Sequence, residues 1–113
     1  MANTDAPAAS ATTAPVAADV KPKKQPPYHV VLLNDDDHTY AYVIEMLQRI
    51  FGHSKEKAFQ MAKEVDTTGR VIVDTTTMER AELKRDQIHA YGRDWRLNRC
   101  KGSMSATIEP APE

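Results

Sequence analysis

The 113-residue chain has little of what usually announces a mechanism. Its one cysteine, Cys100, excludes an internal disulfide framework and suits a reducing cytoplasm. Charge of one sign is also missing: 15 Lys and Arg stand against 16 Asp and Glu, a net charge of −1. General nucleic-acid binding relies on a strong positive excess, so this balance argues against it. No apolar run approaches a membrane span, and the N-terminus lacks the basic start and continuous apolar core of a secretion signal. The expectation is a soluble, monomeric, cytoplasmic protein with no membrane partner. There is no Gly-rich phosphate loop, and no second His or Cys stands at a spacing that completes a zinc site.

What is present is concentrated between Tyr28 and Phe51, YHVVLLNDDDHTYAYVIEMLQRIF. Tyr28 to Leu33 is short, β-branched and apolar on both faces of its alternation, as in a strand covered by helices. It runs straight into Asn34-Asp35-Asp36-Asp37-His38. From Thr39, a natural N-cap, the apolar positions Val43, Met46, Leu47, Ile50 and Phe51 fall on one helical stripe, and Gly52 stops it. Ser54 can cap a second helix with Ala58, Met61, Ala62 and Val65 inward and Gly69 at its end. Val71 to Val73 makes a second strand. Thr76 and Glu79 form a capping box for a third helix, thinly apolar through Ala81, Ile88 and Tyr91 and stopped by Gly92. Residues 93–102 are a basic loop, Arg93, Arg96, Arg99 and Lys101 around Trp95, for which a loop anchor with cation–π stacking is expected. Ser103 to Ile108 alternates, with Met104, Ala106 and Ile108 on one face of a last strand.

The order is β-α-α-β-α-β, and every strand-to-strand connection contains helix. This predicts a single small α+β domain over residues 27–109, a three-stranded sheet with helices packed on one face. Residues 1–26, rich in Ala, Thr and Pro, have no apolar periodicity to offset the entropy of ordering and are expected to be a disordered arm. Residues 110–113 are expected to fray.

Three successive carboxylates repel one another unless they face a cation. Helix capping and turn formation account for Asn34 or one Asp, but poorly for three in a row. A divalent metal is one answer, and a metal-dependent enzyme the activity it would imply. Against it, the alternating ligands, central Gly and distal Glu of a calcium loop are absent. A pair of carboxylates could also serve acid–base catalysis, but no nucleophile or second polar cluster accompanies them. The remaining candidate is an organic cation beside an apolar wall built by Val43, Ala62 and Val65, with Tyr40 at the first helix's start and Asp66 directly after Val65.

VVLLNDD, then VIEMLQRIF, then KAFQMAKEV with a closing GR, and the charged AELKRDQI segment together resemble the bacterial ClpS adaptor family. The resemblance covers Tyr28 to about Glu109. It implies an adaptor without enzymatic activity or cofactor. Such an adaptor binds the free N-terminal residue of proteins with a bulky hydrophobic or aromatic start and delivers them to a ClpA-type AAA+ unfoldase paired with ClpP. By the match, Asn34, Asp35 and Asp36 hold the peptide's α-ammonium, and Leu32, Val43, Val65 and Met104 line the side-chain pocket. Glu79 and Lys84 fall on the surface that docks the unfoldase, and the N-terminal arm reaches towards it. The chain departs from the family pattern where Asp66 replaces a common His as a third ammonium ligand. It departs again where Ala62 replaces a pocket Met, where Tyr40 replaces a Met at the pocket mouth, and where Asp37-His38-Thr39 forms the turn before it. The same fold without N-terminal selectivity, docking the unfoldase as a general protein–protein module, is the alternative.

Overall fold

A computed structural model of the chain describes residues 25–34 and 37–112. Residues 1–24 of the expected arm, and Asp35 and Asp36, lie outside these. The elements follow the expected order: β1 (Tyr28–Leu33), α1 (Tyr40–Phe51), α2 (Lys55–Thr68), β2 (Arg70–Thr76), α3 (Met78–His89) and β3 (Ser105–Pro110). The first strand lies in the middle of an antiparallel sheet ordered β2-β1-β3.

Strand alternation decides which face is covered. Val30 and Leu32 of β1, Val71 and Val73 of β2, and Ala106 of β3 point into one core with Tyr42, Val43, Met46, Leu47, Ala58, Ala62, Val65, Ala81 and Ile88 from the helices. Each Val or Leu buried there contributes roughly 1.5–3 kcal/mol. Val31 lies on the opposite face, outside the cluster that the described helices cover, and is nonetheless fully buried. Its neighbours in register are Ile72 and Thr107, and the Arg70–Glu109 ion pair (2.8 Å) joins the two outer strands across it. A continuous apolar run in β1 is therefore compatible with helices on one side only.

Helix ends are set by local chemistry. The Thr39 and Ser54 hydroxyls accept the Tyr42 and Lys57 backbone N–H groups (3.1 Å each), and Gly52 and Gly69 close their helices at φ of 72° and 91°. Those conformations favour glycine. The third cap differs from expectation by one residue. Thr76 stays in β2, paired with Tyr28, so Thr77 becomes the N-cap and accepts the Arg80 N–H (3.2 Å). That helix ends at His89 rather than near Tyr91, and Gly92 takes its positive φ of 110° beyond the helix.

The last strand begins two residues later than expected and extends further. Pro110 pairs with Tyr28, and Ala111 donates its N–H to the Pro27 carbonyl (2.8 Å), so residues 110 and 111 are held rather than frayed. Met104 is buried just before the strand.

Candidate functional site

The site is built where β1 ends, α1 begins and α2 closes. Asn34 is fixed there through its backbone, whose N–H donates to the Gly69 carbonyl at 3.0 Å. Asp37 meets a cation within the chain: Arg99 Nε lies 3.0 Å from its carboxylate. His38 Nε2 sits 2.8 Å from the Gly102 carbonyl, which places the proton on that nitrogen. It also lies 3.3 Å from Cys100 Sγ, and its ring packs 4.6 Å from that of Tyr42. Among the described residues, no three His, Cys, Asp or Glu side chains group in a way that could hold a metal ion.

Asp94 holds the whole corner and is the residue sequence reasoning missed. It is fully buried. One carboxylate oxygen accepts the Thr39 N–H (2.7 Å) and the Thr39 hydroxyl (2.8 Å), and the other accepts the Arg96 N–H (3.0 Å) and its guanidinium (3.2 Å). Burial by itself would push the carboxyl up, but these hydrogen bonds outweigh it and hold Asp94 at about 2. Its own N–H donates to Cys100 Sγ at 3.0 Å. The basic loop is thus pinned by its one acid, not by Trp95, which is 71% exposed with the Arg96 guanidinium stacked 4.6 Å from its ring. An Asp among four basic residues was the available signal, but its partner, Thr39, is 55 residues away. Tyr42 adds a second tie by donating its hydroxyl to the Gly92 carbonyl, and burial pushes that phenol up to about 12.

The apolar residues expected to form a pocket are brought together. Leu32, Val43, Ala62, Val65 and Met104 belong to one cluster, and none is more than 4% exposed. In this structure they are enclosed. Surface depressions of about 390, 350 and 410 Å³ lie against Asp37, His38 and Arg99 of the candidate site, against Ile44 and Phe59, and against Glu79 and Leu83.

Tyr40 and Asp66, two of the positions expected to depart from the family pattern, are both exposed. They touch: the Tyr40 hydroxyl donates to Asp66 Oδ2 at 2.8 Å. The Tyr40 ring rests 5.9 Å from that of Phe59, and the carboxylate it bonds to raises its phenol from the usual value.

The two residues expected to dock a partner differ in their surroundings. Glu79 is exposed beside Thr77, Arg80 and Leu83. Lys84 donates to the Ile50 carbonyl in the last turn of α1 (2.6 Å), with its ammonium 5.6 Å from the Phe51 ring centre.

Residues 23–96 match the family described as ATP-dependent Clp protease adaptor protein ClpS. The chain belongs to the ClpS family. Its members are adaptors of the ATP-dependent Clp protease. ATP-dependent Clp protease adapter proteins ClpS from three strains of Vibrio cholerae serotype O1 are each 43% identical over 75 residues, 66% of this chain and 69% of theirs. The fold is similar to Agrobacterium tumefaciens ClpS2 bound to L-phenylalaninamide, with a TM-score of 0.67 at 23% identity, covering 78% of this chain and 100% of that one. The family match stops at Arg96, so Arg99, Cys100 and β3 lie beyond it.

Proposed function

We propose that this ClpS-family adaptor recognises the free first residue of proteins that begin with a bulky hydrophobic or aromatic side chain. It would pass them to a ClpA-type AAA+ unfoldase and its ClpP protease. The observation that carries this reading is an enclosed apolar cluster, Leu32, Val43, Ala62, Val65 and Met104, with the exposed carboxylate of Asp66 following Val65 directly on α2. An N-terminal residue offers the matching pair, an apolar side chain attached to a cation. Its α-amino group has a pKa of about 7.7–8.0 and is mostly protonated at neutral pH. Asn34, Asp35 and Asp36 would hold that ammonium by the family resemblance, with Asp66 as a further carboxylate. His38 and Thr39 would frame the entrance in the geometry that Asp94 and Gly102 impose. L-Phenylalaninamide, bound by the A. tumefaciens relative, combines the same two features.

An internal or acetylated peptide brings no charge, so binding it would leave carboxylates desolvated and unpaired, which is how the site rejects it. The solvent-facing side of α3 around Glu79 is the surface we assign to the unfoldase. Titration of labelled peptides starting with Phe or Tyr, free and Nα-acetylated, tests the proposal. The free peptide should bind, and more weakly above pH ~8 as its amine deprotonates. The acetylated one should not bind, and Asp35→Ala with Asp36→Ala should weaken the free one. Equal affinity for both forms would leave a docking module without N-terminal selectivity.

A further inference from the structure

The hydrogen bond between Tyr40 and Asp66 joins the two helices at the place where the proposed ligand enters. Tyr40 is the first residue of α1, and Asp66 lies in the last turn of α2. With its ring near Phe59 and its hydroxyl on Asp66, Tyr40 spans two turns of α2, the stretch that contains Ala62. Tyr40 precedes Val43 by three residues on α1, and Asp66 follows Ala62 by four and Val65 by one on α2; Val43, Ala62 and Val65 are at most 4% exposed. Asp66 Oδ2 accepts the hydrogen bond of the Tyr40 hydroxyl, and this carboxylate is the group an incoming ammonium would seek.

We propose that Tyr40 and Asp66 form a latch across the mouth of the apolar cluster, opened when the ammonium of a bulky N-terminal residue displaces the Tyr40 hydroxyl from Asp66. This rests on the functional reading given above and adds to it. Selection is then made twice at one carboxylate. A ligand without positive charge neither pairs with Asp66 nor frees the ring, whereas a charged one does both. A protein whose open form is only fractionally populated binds with an affinity reduced by that fraction, so the latch lowers affinity for every ligand.

Tyr40→Phe keeps the ring and removes the hydroxyl. In the full chain it should bind a free Phe-starting peptide more tightly, by roughly two- to tenfold, the range set by one net hydrogen bond. Asp66→Asn retains an acceptor for Tyr40 but loses the charge, and should bind the same peptide more weakly than the unaltered protein. Unchanged or weakened binding by Tyr40→Phe overturns the latch. The ring-carbon NMR signal of labelled Tyr40 is the second readout. It should shift in Asp66→Ala and shift in the same direction when the unaltered protein is saturated with peptide. A protein that binds no free-amino peptide overturns the functional reading, and the Asp66→Ala comparison then decides the contact alone: an unmoved Tyr40 signal overturns it.

Discussion

Asp94 is where one side chain controls the most geometry. Its two oxygens take four hydrogen bonds from Thr39 and Arg96, and Thr39 is both the N-cap of α1 and the end of the acidic turn. The sign of its pH effect follows from the direction of its shift. Its ordinary value of 3.8 falls to about 2 on folding, so the folded state prefers the charged form. The stabilisation is complete above pH ~4 and is lost as pH falls through ~2, amounting to about 2 kcal/mol. Asp94→Asn should therefore lose about that much stability at pH 7. Between pH 4 and 2 its stability should also fall less steeply than that of the unaltered protein, measured by urea unfolding across that range. Parallel acid limbs in the two proteins would mean that Asp94 titrates as an ordinary carboxylate.

Between elements, the contact that matters most for interpreting partner binding is Lys84 on α3. Its ammonium satisfies a carbonyl in the last turn of α1, where the helix dipole favours a cation, and stacks over Phe51. Removing it should cost about 1 kcal/mol, whereas Glu79→Ala on the exposed face should stay within about 0.5 kcal/mol of the unaltered protein. Thermal unfolding of the two variants checks this, and equal melting temperatures would show that the Lys84 contact contributes nothing. A loss of unfoldase binding in Lys84→Ala alone then reports on α1 packing as well as on docking. Competition between elements also shifts the cap of α3. Two adjacent threonines compete for the role, and the β2–β1 pairing keeps Thr76 in the strand.

At the scale of the whole molecule, the sheet is closed by residues 109–111. Glu109 bridges to Arg70 across Val31, Pro110 pairs with Tyr28, and Ala111 bonds to Pro27. Ending the chain at Ile108 should cost about 1–2 kcal/mol through the lost backbone bond, the buried Ala111 and the uncovered Val31. Arg70→Ala alone should cost under about 1 kcal/mol, because an exposed ion pair is worth little. Denaturant titration that finds the truncation as mild as Arg70→Ala would mean that the tail only rests on the sheet. By itself the sequence determined the element order, the caps Thr39, Ser54, Gly52 and Gly69, and the apolar positions of the core. Each of these depends on spacing or on one residue's local preference. The family resemblance marked Tyr40, Ala62 and Asp66 as positions of expected departure from the family pattern. Only the tertiary structure decided what those residues do together, and it alone made Asp94 the anchor of the acidic turn. Both depend on contacts between residues 26 and 55 positions apart, which no local pattern encodes and only packing of the helices and the loop brings within hydrogen-bond reach.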